Sequence, residues 1–391
     1  IHQIDRLAFY EQAKKLSKQS FRNFENYSPI EQAVLVLKTA LSEKGLKLDS
    51  LPKGLIPFHH YGHKIFTPFE EHLEEAKSYA TKDNKAQLHF TISEEHENHF
   101  KTTLQQYLNS HIKDNIDFEV NFSYQKPSTD TLAVNLDDTP FRDKDGQLFF
   151  RPGGHGALIH NLNEIEADII FIKNIDNVSK KQVDKTKTSE TKKILAGILL
   201  YLQQSLFDYQ NALEQNPTSE LIKEVQEFAQ ENLNIKSPSN KVSELLKILH
   251  RPIRVCGMVK NDGEPGGGPF WVEGDNGEQS LQIVETSQVD PNDEEQQQIL
   301  KEATHFNPVD IVCGVKDYKG QKFDLLQFVN SKRGFITQKS VEGQDVKALE
   351  LPGLWNGGMA YWHSVFVEVP LSTFNPVKTV VDLLKPAHQE D

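Results

Sequence analysis

The sequence predicts a layered α/β fold on a mainly parallel sheet, and three observations carry that expectation. Segments of helical periodicity alternate with short β-branched runs along much of the chain, the order that places helices between parallel strands. One run, Ala167-Asp168-Ile169-Ile170-Phe171-Ile172, is apolar almost throughout, as strands are at the centre of a sheet covered on both faces. It ends in a polar turn, Lys173-Asn174-Ile175-Asp176-Asn177, and open α/β sheets bind ligands beyond the carboxyl ends of their strands.

The elements follow in order. Residues 1–50 are expected to form a helical N-terminal segment. Ser28 is placed to cap a helix with Pro29 at its first position and Glu31 in its first turn, and Ala33, Val34, Val36, Leu37 and Leu41 supply its apolar face. Thr67-Pro68-Phe69-Glu70 repeats the capped start. Gln87–Ile92 and Phe118–Phe122 are predicted strands on either side of a helix, Glu94–Leu108. A turn-rich stretch, Asp137–Gly146, leads to a strand over Gln147–Phe150, and a helix is expected over Ala157–Ile165. Residues 178–250 are mostly helical and polar, an insertion whose lysines near 180–193 are expected on a solvated helix face. Further strands are expected at Ile253–Val259, Leu281–Glu285, Ile311–Val315 and Val365–Val369.

Composition narrows the function. The chain has 391 residues and a formal net charge of −13, which argues against duplex nucleic acid as a partner, since phosphate backbones demand clustered Lys and Arg. A small phosphorylated ligand needs only a few local cations and amides. Each of the two cysteines, Cys256 and Cys313, ends a β-branched run and is expected as a free thiol in a core. The longest apolar run, Ile194–Leu202, is too short to span a bilayer, and no secretory signal pattern is present, so no membrane partner and a cytoplasmic residence are expected. The histidines His59, His60 and His63, and the pair His96 and His99, lack an accompanying carboxylate at catalytic spacing and are expected at or near the surface. Gly266-Gly267-Gly268, between Pro265 and Pro269, lacks the P-loop lysine and is expected to be a flexible loop.

Four stretches carry possible chemistry. In Arg151-Pro152-Gly153-Gly154-His155-Gly156 a strand ends, glycines permit close backbone approach and a helix begins; a tight turn needing positive φ would read the same way. Asp176, at the mouth of the apolar strand, is a hard oxygen donor suited to Mg²⁺, or else the head of an Asx-turn. Lys378 follows the fixed turn at Pro376, with Asp382-Leu383-Leu384 beyond it, and can aim a cation at a phosphate. Pro52-Lys53-Gly54 has the same logic.

In this order the four stretches resemble the UDP-sugar pyrophosphorylase group. That group carries a Pro-Gly-Gly-His-Gly or Pro-Pro-Gly-His-Gly loop, a hydrophobic strand ending in Asn-x-Asp-Asn, and near its end Phe-x-Pro-Val-Lys-Thr followed by Asp-Leu-Leu. Glu285-Thr286-Ser287 resembles its Val-Glu-Tyr-Ser element. The whole chain is similar to a bacterial family on the same fold, the domain-of-unknown-function family 4301, whose members carry Leu-Pro-Lys-Gly-Leu-Ile-Pro-Phe, Phe-Arg-Pro-Gly-Gly-His-Gly-Ala-Leu and Asn-Ile-Asp-Asn, as here.

The resemblance implies a GT-A-like (Rossmann-like) domain over 51–385, with a mixed, mainly parallel sheet, helices on both faces and the helical insertion at about 178–250. It places Asp176 at a divalent metal, Mg²⁺ or Mn²⁺. It places Gly153, Gly154, His155, Gly156, Asn174 and Asn177 around a nucleotide or nucleotide sugar, and Asn356, Gly357 and Gly358 near the sugar with Glu285. Lys53 and Lys378 would face phosphates as the catalytic cations. The implied partners are a nucleotide or nucleotide sugar and a phosphorylated sugar; base, sugar and oligomeric state stay open. The pyrophosphorylase group also carries a Gly-x-Gly-Thr-Arg loop ahead of its Pro-Lys, and none stands between Ile1 and Pro52. Such a loop either lies ahead of Ile1 or is absent, and that alternative separates three readings. A nucleotidyltransferase forming a nucleoside diphosphate sugar and pyrophosphate is the first and calls for such a loop. A glycosyltransferase-like enzyme using a ready-made nucleotide sugar and a non-catalytic nucleotide-sugar-binding protein do not.

Overall fold

The computed structural model describes residues 3–236, 238–263, 266–274, 277, 279–341 and 343–389, without the side chain of Asn307. The chain forms two compact units, Ile1–Phe122 with Lys173–Thr191 and Pro370–Asp391, and Ser123–Ile172 with Lys192–Val369.

In the first unit, the capped starts form as the residues dictate. Ser28 Oγ accepts from the Glu31 amide while Glu31 accepts from the Ser28 amide, opening the helix Pro29–Leu41. Thr67 and Glu70 do the same for Pro68–Tyr79. Each reciprocal box satisfies amides that a bare helix start leaves unpaired. The first of these helices buries Ala33, Val36 and Ala40 with Phe9, Ala13 and Phe24, and in the same core lie Val178 and Val377, so segments far apart in sequence share one hydrophobic cluster. The second buries Phe69 and Leu73 with Phe100 and Tyr107 of the helix Glu97–Ser110. A three-stranded sheet of Thr81–Lys82, Lys85–Thr91 and Asp117–Ser123 adds Phe90 and Phe122 to that cluster.

The second unit centres on a four-stranded sheet in the order His363–Glu368, Ile253–Lys260, His305–Gly314, Ile169–Ile172. One pairing is parallel, Ile253–Lys260 with His363–Glu368, and the other two are antiparallel. The hairpins Gly268–Glu273 with Gln279–Val284 and Phe335–Val341 with Gln344–Glu350 are antiparallel too. The expected sheet is mixed, as predicted, but its described pairings are mainly antiparallel and not mainly parallel, because alternating helices and strands leave the direction of each pairing open. The apolar strand expected at the centre is an edge among the described residues, and the inner strand Ile253–Lys260 is buried from Ile253 through Val259. An apolar run reports cover on both faces; position within the sheet is a separate property.

Helices lie on both faces. Ile159 and Leu162 of the helix Leu158–Glu164 pack on Cys256, Met258, Ile311 and Cys313. On the opposite face, a Cβ at Gly257 would come within 3.1 Å of Leu195 in the helix Gln182–Gln215. That helix also overturns the solvated-lysine expectation at one end: Lys192 is wholly buried in an ion pair with buried Asp310, and its ammonium lies 5.9 Å from the centre of the Phe171 ring. Cys256 and Cys313 are buried free thiols, as expected. Gly268 begins a strand instead of lying in a loop, while Pro265 lies outside the described residues.

Candidate functional site

In the first unit, the segment 173–179 is held from several sides. Lys173 Nζ pairs with Glu75 at 2.7 Å, and His72 Nε2 lies 3.1 Å from the Ile175 carbonyl. Asn177 donates to the Thr373 carbonyl at 3.1 Å and accepts from the Asn375 amide at 2.7 Å. Ser179 Oγ donates to the Ala387 carbonyl at 2.9 Å. At the centre, Asp176 Oδ2 accepts from Lys53 Nζ at 2.8 Å, and the same ammonium donates to the Val377 carbonyl at 2.9 Å. The Val377 amide in turn donates to the Asp176 carbonyl at 3.2 Å. Three of the four stretches singled out in the sequence thus meet through one lysine.

Their side chains differ in access. The Asp176 side chain is 8% exposed and that of Lys53 40%. Asn174 is exposed and Asn177 buried. Lys378 is exposed, one residue beyond Val377. Its amide and that of Thr379 donate to Asp382 at 2.9 and 2.7 Å. Partial burial works against ionisation of Asp382, but Lys385 and these two amides hold its carboxyl down at about 2. The turn that presents Lys378 is therefore braced by an ionised carboxylate.

A second set in this unit was not legible in the sequence. His59, expected near the surface, is fully buried and places Nδ1 2.6 Å from Glu71 Oε1 and Nε2 2.9 Å from His388 Nδ1. Tyr61 donates to Glu71 Oε1 at 2.7 Å, and Lys185 donates to Glu71 Oε2 at 2.6 Å and to Tyr61 at 2.8 Å. Burial opposes ionisation of Glu71, but His59 and Lys185 hold its carboxyl below the usual range. Burial pulls His59 down against the pull of Glu71, and burial with the neighbouring His59 lowers His388 to about 4. Elsewhere in the unit, Glu74, His111 and Asp114 are close enough to share a metal ion, but Lys77 already pairs with both carboxylates.

In the second unit, the glycine loop 153–156 packs against the stretch 350–353. Gly154 has φ +78°, so the positive-φ turn is present there. The other glycines serve close backbone approach. A Cβ at Gly153 would lie 2.6 Å from the Thr129 carbonyl oxygen, and one at Gly156 would lie 2.1 Å from that of Pro352. A Cβ at Gly357 would meet Pro352 Cβ at 2.3 Å, and one at Gly358 the Leu354 carbonyl at 2.8 Å. The two glycine turns are thus fitted to their own protein surroundings. Gly156→Ala is expected to destabilise this unit by about 1–3 kcal/mol, the usual cost of forced overpacking, read as a lowered midpoint in thermal denaturation; an unchanged midpoint would show that the contact relaxes freely.

His155 links the two turns. Its Nδ1 accepts from the Leu354 amide at 3.3 Å, which puts the proton of the neutral ring on Nε2. Its ring centre lies 4.9 Å from that of Trp355. The protein around it lowers its pKa, against the carboxylates of Glu285 and Glu350; the residue is solvent-exposed, which limits the effect. Trp355 Nε1 donates to Glu285 Oε1 at 3.4 Å, and Asn356 Nδ2 donates to Gln288 Oε1 at 2.8 Å. Gly153, Gly154, His155, Gly156, Glu285, Asn356, Gly357 and Gly358 therefore belong to one cluster of this unit. Trp355 joins it unforeseen, although it directly precedes Asn356.

The described residues make a mixed α/β protein, with polar clusters around Lys53–Asp176 and around His59–Glu71 in the first unit and around His155 in the second. The family model for a domain of unknown function, DUF4301, matches residues 1–389, and the chain belongs to that family. No curated protein matches the sequence. Among solved structures, a mutant UDP-glucose pyrophosphorylase from Leishmania major in complex with UDP-glucose is similar, with 14% identity and a TM-score of 0.46 over 85% of this chain and 61% of that one. A second mutant of that enzyme, also in complex with UDP-glucose, gives 15% identity and a TM-score of 0.47 with the same coverage. The chain thus spans less than two thirds of the length of these structures. No helix among the described residues is long and apolar enough to cross a membrane.

Proposed function

We propose that the chain is a nucleotidyltransferase of the nucleotide-sugar pyrophosphorylase type, joining a nucleoside triphosphate and a sugar 1-phosphate into a nucleoside diphosphate sugar and pyrophosphate. The observation that carries this reading is the Lys53 ammonium, which bridges the Asp176 carboxylate and the Val377 carbonyl. Such a reaction needs no protein nucleophile. An oxygen of the sugar phosphate attacks the α-phosphorus and pyrophosphate leaves, so the protein's part is position and positive charge.

The donor set is compatible with a divalent cation. Mg²⁺ is commonly held by one or two carboxylates together with substrate phosphates, and Asp176 is one such carboxylate at a site where a cationic group already sits. When bound, Mg²⁺ or Mn²⁺ would supply charge neutralisation at the phosphates. Lys53, with its partly exposed side chain, is free to exchange its contacts with Asp176 and Val377 for a phosphate oxygen. Lys378, on its braced turn, supplies a second cation for charge on non-bridging or leaving oxygens. In the second unit, the cluster of Gly153–Gly156, Glu285 and Asn356–Gly358 is assigned to the nucleotide or its sugar, and in the first unit Asn174 and Asn177 support the segment that carries Asp176.

The test is a pyrophosphate-release assay with Mg²⁺, a panel of nucleoside triphosphates and a panel of sugar 1-phosphates. Metal-dependent release that requires both substrates and is lost in Asp176→Asn is expected. Tight binding of a nucleotide sugar without any turnover would replace this reading with the non-catalytic one.

A further inference from the structure

Arg254 is among the largest fully buried side chains of the protein. It stands in the inner strand, with Cys313 opposite on one neighbour and Ser364 on the other. Its Nε donates to Ser364 Oγ at 2.8 Å, and its Nη1 donates to the Trp355 carbonyl and contacts Met359 Sδ at 3.4 Å. These partners are all neutral, and Nη2 has none. No carboxylate among the described residues pairs with the guanidinium. The two nearby thiols do not supply the missing charge, because burial raises both and brings Cys256 to about 11.

A buried charge without a counter-ion is strongly unfavourable, and such groups are normally paired. The same unit contains the usual solution, since buried Lys192 has its own carboxylate in Asp310. Arg254 instead directs Nη1 to the Trp355 carbonyl, in the turn that precedes Asn356, Gly357 and Gly358, while Nε is held by Ser364 of the neighbouring strand. Other buried polar atoms on or against residues 353–362 lack partners as well: Asn356 Oδ1, Trp362 Nε1 and Gln282 Oε1, the last on a residue whose amide nitrogen holds the Ala360 carbonyl at 2.9 Å.

We propose that Arg254 is a positioning residue for an anionic ligand of the Trp355–Gly358 turn. It fixes the turn through the Trp355 carbonyl, and its unneutralised charge is balanced when a phosphate-bearing ligand binds there. This inference rests on the reading of that turn as part of a nucleotide-sugar site. The guanidinium does not touch the ligand. It acts through the carbonyl it holds and through its field, which the surrounding low-dielectric core screens far less than water would.

Arg254→Met and Arg254→Lys test it, with UDP-glucose, inorganic pyrophosphate and uridine as probes in calorimetric titration, and hydrogen exchange of the amides at 354–358 as a readout free of ligand. The Met variant removes a charge that has no partner, so cooperative unfolding is expected to survive. Its turn amides are expected to exchange faster, and its affinity for UDP-glucose and pyrophosphate to fall roughly tenfold or more with uridine unaffected. The Lys variant, which keeps the charge but not the fork of donors, is expected to exchange faster while holding anion affinity above that of Met, and it carries the test if Met does not fold. Anion affinity equal to wild type in the variants, or an equal loss for uridine, overturns the inference, as does a wild type that binds neither anion. Arg254-dependent binding of pyrophosphate without any binding of UDP-glucose would leave the inference standing and remove the proposed function. UDP-glucose binding indifferent to Arg254 would do the reverse.

Discussion

Replacing Glu71 by Gln is expected to destabilise the first unit by about 3–5 kcal/mol, the scale for removing one partner of a buried ion pair. The carboxylate accepts from Lys185, Tyr61 and His59 at once. Gln keeps the shape but removes the charge, so Lys185 loses its anion and the bond with His59 has to be rebuilt around an amide. Denaturant titration reads the loss, and a shift below about 1 kcal/mol would show that the network is readily rearranged.

The same groups set a pH dependence. Glu71, His59 and His388 all have folded-state pKa values below their ordinary ones. In each case the unfolded chain takes up a proton at a higher pH than the folded chain does, so stability falls as pH falls. For His388 the window runs from the ordinary histidine value near 6.5 down to about 4. The wild type should therefore lose stability progressively across that range. His388→Gln should show a shallower loss, and an unchanged slope would show that this histidine titrates alike in both states.

What was legible in the sequence was local. Ser28 with Glu31, and Thr67 with Glu70, announce helix starts because a capping box is completed within four residues. The strands at 253–259 and 365–369 were legible because β-branched residues cluster there. Strand direction was not, since pairing is decided between segments far apart; the apolar strand at 169–172 lies beside His305–Gly314 and not at the centre. The network of His59 was illegible for the same reason, as its partner His388 lies 329 residues away. Lys192 shows the limit of composition: on the same long helix Lys187 and Lys193 are exposed, whereas Lys192 is buried because it meets Asp310. Arg254 carried no signal, because its role depends on partners in a turn about a hundred residues further on. The motifs fared differently. Their order in the chain pointed to Lys53, Asp176 and the region of Lys378, and these three stretches do converge. The glycine loop was chosen for its capacity to approach a ligand, whereas its glycines are also required by the packing of the loop on its own protein.

Lys53→Ala is expected to have the largest effect on ligand binding. A triphosphate or nucleotide sugar brings substantial negative charge to a chain whose own formal net charge is −13, so cations at the phosphates have to be placed locally. Lys53 is placed by two contacts, from the Asp176 carboxylate and the Val377 carbonyl, and its side chain remains partly exposed. Removing it should weaken phosphate-bearing ligands by about 2–4 kcal/mol, the scale for one electrostatic stabiliser at a partly desolvated site, while the parent nucleoside binds as before. Loss of the ion pair leaves Asp176 buried without its cation, so unfolding has to be measured alongside, and Lys53→Arg serves as the variant that keeps the charge. Lys378→Ala is the companion measurement. Its ammonium is exposed and its position is set by the braced turn at Asp382, so a smaller loss with the same selectivity for phosphate is expected. For an ordinary surface lysine the change would stay within about 0.5 kcal/mol. Titration of a nucleotide sugar and of its nucleoside into the three variants separates the cases. Equal small effects on both ligands for Lys53→Ala would mean that the lysine only ties the three stretches together, and the observation on which the proposed function rests would then describe packing alone.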